Sequence, residues 1–156
     1  MNKINLEMAS NGDSDFLFYL RNLPETYENS RNARPVNKEE HKNWLLSIIK
    51  NKEIFLYVIY CDDNKAGQIR FDKMDEFIVE VSISVLKDYW GKKVAETALI
   101  KGIKEMRGKG MERVIAEIKR ENFRSIKFFE KNGFTKFREN SEFFDLEYIL
   151  KQPSSL

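Results

Sequence analysis

The spacing of hydrophobic and polar positions changes period between Val79 and Arg107. Val79, Val81, Ile83 and Val85 alternate with Glu80, Ser82 and Ser84, the period of two that a half-buried strand needs. After Tyr89-Trp90-Gly91-Lys92-Lys93-Val94-Ala95-Glu96 the period becomes helical. Ala95, Ala98, Leu99, Gly102, Ile103 and Met106 share one face, and Lys93, Glu96, Lys101, Lys104 and Arg107 the other. A strand therefore runs through a turn at Gly91 into a helix. The first N–H groups of that helix have no internal partner and carry the positive end of its dipole. They form an anion site, which a glycine lets a phosphate approach and which Lys92 and Lys93 reinforce. An ordinary strand-turn-helix with a basic first turn has the same pattern.

The remaining elements follow in chain order. Ile4, Leu6 and Met8 alternate in a short strand over 3–8, and Asn11 or Asp13 caps a helix carrying Phe16, Leu17, Phe18 and Leu20. That helix ends near Asn22, ahead of Pro24. Residues 29–35 are polar loop. Asn37, with Glu40 three positions on, caps a second helix presenting His41, Trp44, Leu45, Ile48 and Ile49 on one side. Residues 53–61 form a strand, the turn Asp62-Asp63-Asn64-Lys65 follows, and Ala66–Met74 pairs back as a hairpin. After the central helix, Gly108-Lys109-Gly110 stops the pattern and Met111–Lys119 is again a strand. Strand, helix and strand in this order form a βαβ unit with a parallel pair and a right-handed crossover. Asn122 caps a helix with Ser125, Ile126, Phe128 and Phe129, ended by Gly133. Phe134–Phe137 and Phe143–Leu150 close the chain as two strands, expected to be antiparallel.

Composition narrows the classes. A chain of 156 residues, 42% of them hydrophobic, supports one core-bearing domain, expected over 1–151, with a frayed tail at 152–156. The 27 basic and 25 acidic side chains nearly cancel, which argues against nucleic acid or a membrane surface as partner. The single cysteine, Cys61, excludes an internal disulfide and reads as a buried thiol. No apolar run is long enough to span a bilayer, and the first residues lack a signal-peptide core, so the expectation is a cytoplasmic protein. No cluster of metal-ligating residues stands out, and none is expected to hold a metal.

Two motifs now stand in a telling relation within the order βααβββαβαββ. Asp88-Tyr89-Trp90-Gly91-Lys92-Lys93 precedes the fifth strand, and Asn122-Phe123-Arg124-Ser125 through Lys131-Asn132-Gly133-Phe134 follows it. Together they resemble the GCN5-related N-acetyltransferase (GNAT) superfamily over nearly the whole chain. The first is similar to that family's pyrophosphate-binding motif, Gln/Arg-x-x-Gly-x-Gly/Ala, and the second to its Asn-x-x-Ser/Ala…Lys-x-Gly-Phe helix. The resemblance implies an α+β (αβα) sandwich around a mixed, mostly antiparallel sheet with one parallel βαβ pair. Arg21-Asn22, Glu40-His41…Trp44 and Gly67-Gln68-Ile69-Arg70-Phe71-Asp72 further resemble a branch that acetylates amino groups of nucleotide-activated sugars. The Trp-Gly-Lys loop is also similar to a branch acting on ribosomal-protein N-termini and some antibiotics. Asp88 and Lys93 depart from the motif. Lys93 has a bulky side chain but needs no unusual backbone geometry if it lies in the first helical turn.

The resemblance implies an acetyl-CoA-dependent N-acetyltransferase working by direct transfer to a primary amine. The expected acceptor is a nucleotide-linked amino sugar, and a homodimer remains open. The alternatives are a ribosomal-protein, small-amine or antibiotic acetyltransferase, and a non-catalytic acyl-CoA-binding module. Free main-chain groups at Ile83 and Val85 would pair with the pantetheine arm. N–H groups of Gly91, Lys92, Lys93, Val94, Ala95 and Glu96 would hold the pyrophosphate. Asn122, Phe128, Phe129 and Lys131 complete the expected cofactor contacts. Glu80 is the candidate base and Ser125 a candidate proton donor, since Phe129 stands where many relatives carry the tyrosine that protonates the leaving thiolate. His41, Trp44 and Arg70 are the expected acceptor contacts. Each has a plainer alternative: a helix cap at Asn122, solvated charges at Lys131 and Glu80, core packing at His41 and Trp44.

Overall fold

Every strand and long helix that the periodicity predicts is present in the computed structural model, which describes residues 2–150. In chain order the elements are β1 (Ile4–Met8), α1 (Ser14–Arg21), α2 (Pro24–Tyr27), α3 (Lys38–Lys50), β2 (Ile54–Cys61), β3 (Asn64–Lys73), β4 (Ile78–Val85), α4 (Val94–Gly108), β5 (Arg113–Lys119), α5 (Phe123–Lys131), β6 (Thr135–Glu139) and β7 (Phe143–Ile149). The strands form one seven-stranded sheet in the order β1-β2-β3-β4-β5-β7-β6. All neighbours are antiparallel except β4 and β5. That parallel pair is the one the βαβ unit requires. The tail expected from Gln152 lies outside the described residues.

Strand parity divides the core. Ile59, Ile69, Phe71, Val79, Val81, Val114 and Ala116 pack on one face with α4 and α5. Leu56 and Val58 pack on the other with Leu17 of α1 and Leu45 and Ile48 of α3. Helices cover both faces, hence the αβα layering. β2 contributes to both clusters, which is why its sequence is a continuous apolar run rather than an alternation.

Local chemistry accounts for most boundaries. Asn37 Oδ1 accepts from the Glu40 N–H at 2.7 Å and starts α3. Asp62 and Asp63 both have positive φ, 50° and 72°, the geometry of a two-residue hairpin turn between β2 and β3.

Several expectations are corrected. α2, which the sequence reading did not anticipate, begins at Pro24, where a proline sacrifices no helical hydrogen bond. The Asp13 carboxylate does not cap α1; it accepts from the Ser10 N–H at 2.9 Å and pairs with Lys65 Nζ at 2.7 Å. Met8 and Ile49 are exposed, and Val94 rather than Ala95 is the first buried residue of α4. Lys93 is not in the first helical turn. It sits at the N-cap position of α4 in the left-handed conformation, φ 62° and ψ 17°.

That conformation explains why a glycine suits this position, and it carries a cost. A residue with a Cβ pays roughly 1–2 kcal/mol there, partly offset by the greater freedom of glycine in the unfolded chain. Lys93→Gly is therefore expected to raise the unfolding free energy by about 1 kcal/mol. A lowered urea midpoint would show that the left-handed turn costs this chain nothing.

Candidate functional site

The site originates in incomplete pairing of β4. Leu86 N–H donates to Ala66 O and Met74 N–H to Ile78 O, so even-numbered residues of β4 direct their backbone groups toward β3. Odd-numbered residues direct theirs toward β5. β5 meets β4 only at Ile78–Glu80 opposite Arg113–Ile115. Beyond that the strands diverge, and Ile83 and Val85 turn their N–H groups into the gap. The divergence opens a cleft of about 420 Å³.

The cleft brings together Glu80, Ile83, Val85, Ala95, Asn122, Ser125, Phe128, Phe129 and Arg70 from the expected set. The Val85 carbonyl is not free as expected: it accepts from Trp90 Nε1 at 2.9 Å. Gly91, Lys92, Lys93, Val94 and Glu96 do not line the cleft; Trp90 and Ala95, which bracket them, do. Val94 buries its side chain in the core, so only its backbone N–H faces the helix start. Helix geometry leaves the N–H groups of Val94, Ala95 and Glu96 without intrahelical acceptors, at the exposed Gly91–Lys93 turn. Gly91 has φ 77° and nothing within 4 Å of an added Cβ, so conformation rather than space selects glycine there.

The helix after β5 contributes its first turn. Asn122 Oδ1 accepts from the Ser125 N–H at 3.2 Å, so Asn122 is a helix cap that also borders the cleft. Phe129 is buried, edge-on to Phe128 at 5.2 Å and to Phe134 at 5.0 Å between centroids. Lys131 is exposed in the last turn of α5, at the end away from the cleft, and the structure does not bring it to the site. The sequence reading missed Arg124, whose guanidinium lies 3.3 Å from the Trp90 ring centroid. Its signal was present in the motif, but cation–π stacking depends on tertiary placement.

The opposite face holds a different chemistry. Glu80 lines the cleft on the side of α1 and α3, and its carboxylate is engaged by Arg31, with Nη2 at 2.8 and 2.9 Å from the two oxygens. Arg31 Nε also reaches Glu117 of β5 at 2.7 Å. Arg31 and Glu117 were not anticipated, since a loop arginine and a strand glutamate separated by 86 positions give no local signal. Burial raises the Glu80 pKa; Arg31 lowers it, and the neighbouring carboxylates Glu117 and Asp72 raise it further, so the net direction is upward.

A second cavity of about 280 Å³ adjoins this face. His41, Trp44 and Arg70 line it with Arg21, Asn32, Val36, Glu40 and Gln68, and Arg21, Asn32, Gln68 and Arg70 also line the cleft. Arg21 donates to the carbonyls of Arg34 and Asn32 at 3.1 and 3.0 Å. Among the described residues no carboxylate pairs with it. Arg70 Nε lies 2.9 Å from Asp72 Oδ1 as an ion pair, but out of line for a hydrogen bond, and both atoms are buried without one. His41 is buried between Phe18 and Trp44 with Nδ1 unpartnered; burial and then the Arg21 charge lower its pKa.

Residues 3–135 match the family model described as acetyltransferase (GNAT) domain. The chain belongs to this family. It is a GNAT-family N-acetyltransferase domain, and the mixed sheet with one parallel pair is the fold the family shares. An uncharacterized protein of Methanocaldococcus jannaschii is 25% identical over 145 residues, which cover 90% of this chain and 30% of that protein. The chain thus spans less than a third of the curated relative it matches. A domain from Methanocaldococcus jannaschii superposes with a TM-score of 0.85 at 24% identity, covering 96% of this chain and 100% of the other. Spermidine N-acetyltransferase from Vibrio cholerae, solved with CoA and spermine, superposes at 0.82 with 15% identity, over 94% of this chain and 95% of that one. Among the described residues of this GNAT domain no group of side chains could hold a metal ion, and no helix is long and apolar enough to cross a membrane. Cys61 is buried at the end of β2, and burial raises its thiol pKa.

The lowered pKa of His41 fixes a pH dependence. The folded protein takes up this proton at lower pH than the unfolded chain, so unfolding gains a proton between the usual 6.5 and the lowered value. Stability is expected to fall as pH drops through that window. His41→Phe keeps the ring and removes the titration, so its thermal midpoint should fall less than the wild-type midpoint between pH 7 and pH 5.5. Parallel profiles would contradict the assignment.

Proposed function

We propose that this GNAT domain transfers the acetyl group of acetyl-CoA to a primary amine whose carrier bears a negative charge, with nucleotide-linked amino sugars as the acceptor class. The observation that carries the reading is the pair Arg21 and Arg70, which border both cavities while Arg21 has no ion-paired carboxylate among the described residues. Hydrogen bonds to a charged group contribute roughly 1.5–3 kcal/mol. Two such donors beside an amine site select a phosphate- or carboxylate-bearing acceptor. Trp44 adds a flat surface suited to a sugar or base.

Acetyl-CoA supplies an acetyl thioester, and the residues present fit it. The open N–H groups of Ile83 and Val85 suit the amide-bearing pantetheine arm as an added strand would. The start of α4, with Lys92 beside it, suits the pyrophosphate. Glu80, with its raised pKa, takes the proton of the attacking amine. Phe129 packs against the arm, and Ser125 is the hydroxyl nearest in role to the absent tyrosine. A thiol with a reference pKa near 8.5 leaves as thiolate at modest cost, so that role is an aid rather than a requirement. A second reading, a polyamine acceptor like that of the Vibrio cholerae enzyme, is favoured by the carboxylates Glu80 and Glu117. Any alkylamine is cationic at neutral pH, however, so these carboxylates suit the amine end of an anionic acceptor equally well.

Saturating acetyl-CoA should raise the thermal midpoint, since ligand at 100 times its dissociation constant stabilises by roughly 2.7 kcal/mol. Gly91→Val, which forces a β-branched residue into a positive φ, should weaken that shift; an unchanged wild-type midpoint would contradict the cofactor assignment.

Free-thiol release from acetyl-CoA over nucleotide-linked amino sugars, 2-aminoethyl phosphate, spermidine and a peptide with a free N-terminus tests the acceptor. Phosphate-bearing amines should exceed spermidine at least tenfold in kcat/KM, and Arg70→Ala should remove about tenfold or more of that preference. Spermidine as the best acceptor, or indifference to Arg70→Ala, would overturn the reading.

A further inference from the structure

Arg31 lies on the loop between α2 and α3, where no residue from Glu28 to Asn37 is buried. Its side chain is 63% exposed, yet it spans two strands, with Nη2 on both oxygens of Glu80 and Nε on Glu117. Lys119 Nζ adds one tie by donating to the Glu28 carbonyl at 2.9 Å. The rest of the loop is held separately: Arg21 donates to the Asn32 and Arg34 carbonyls, and Asn22 bonds both the N–H and the carbonyl of Val36. Arg31 itself is held at the cleft by its ion pairs, and a pair with one exposed partner contributes little stability because water competes for it.

Glu80 and Glu117 stand on β4 and β5 and both line the cleft. Two carboxylates brought together on a partly desolvated wall repel each other unless a cation lies between them. A guanidinium fills that place here, and a primary ammonium meets the same requirement with three N–H donors.

We propose that Arg31 is an internal stand-in for the acceptor: the acceptor's ammonium group takes the place of the Arg31 guanidinium between Glu80 and Glu117, and the Arg31 side chain swings out as it binds. This rests on the reading of the cleft as the amine site. It makes Arg31 a specificity-determining residue. Only an amine that competes with a tethered guanidinium enters, and the anionic carrier, held by Arg21 and Arg70, provides that advantage.

The test has an arm that needs no turnover. Ethylammonium chloride is titrated against each protein, with sodium chloride at equal ionic strength as control. Arg31→Ala should show a selective rise of several degrees in thermal midpoint. Wild type should show much less, and Arg31→Ala combined with Glu117→Gln should lose most of the rise. Equal responses to ethylammonium and sodium in Arg31→Ala, or a rise that survives Glu117→Gln, would overturn the proposal. In the kinetic arm, Arg31→Ala should lower the KM for 2-aminoethyl phosphate at least tenfold, with Arg31→Lys between it and wild type. A raised KM would overturn it too, by showing that the arginine anchors the loop for acceptor binding. If no amine is acetylated at all, the acceptor reading fails while the ethylammonium arm still decides the role of Arg31.

Discussion

The short pairing of β4 with β5 is the constraint on which the rest of this domain depends. Each strand is fully satisfied on its far side, β4 along β3 from Val79 to Val85 and β5 along β7 from Arg113 to Lys119. The sheet therefore stays intact while its two central strands part after Glu80. Parting leaves backbone donors that must find water or a ligand, because buried unpaired amides are costly. Trp90 closes the outer end by donating its indole N–H to the Val85 carbonyl. Gly67 allows β3 to stay close there, since a Cβ at that position would lie 2.2 Å from the Ser84 carbonyl oxygen. α4 and α5 begin where β4 and β5 end, so two helix N-termini meet the rim of the gap.

Strand parity then sorts the chemistry. Backbone groups of Ile83 and Val85 enter the gap, while their side chains pack with α4. The side chains of Glu80 and Arg70 lie on the opposite face with Trp44 and His41. One face is thus apolar, the other offers charge of both signs, and the gap between the strands offers main-chain donors. On the proposed function, a thioester-bearing arm and a charged amine need those environments, and the gap is where they meet.

The fold was legible because its signals are local. Alternation from Val79 to Val85, the cap at Asn37, the turn at Asp62-Asp63 and the helical stripe from Ala98 to Met106 each act within one element. The half of the cleft proposed for the cofactor rests on local signals as well, since the turn at Gly91 and the helix start at Asn122 are contiguous motifs. What escaped depends on tertiary placement. Arg31 reaches Glu80 and Glu117 from a polar loop, Arg124 stacks on Trp90, and Lys131 lies in the last turn of α5, beyond Phe129, the last residue of that helix to line the cleft. Lys93 was misjudged for another reason. Lysine is an ordinary helix residue, and its left-handed conformation is imposed by the preceding turn rather than by its own propensity.

The central claim is that the acyl donor binds as an added strand on the open edge of β4, and parity makes it testable residue by residue. Amide hydrogen exchange followed by NMR, without and with saturating CoA, reads this directly. The account predicts that the Ile83 and Val85 amides exchange rapidly in the free protein and become strongly protected in the complex. Ser82 and Ser84, whose amides face β3, should be protected in both states. Protection of Ile83 and Val85 already in the free protein, or no change on adding CoA, would contradict it.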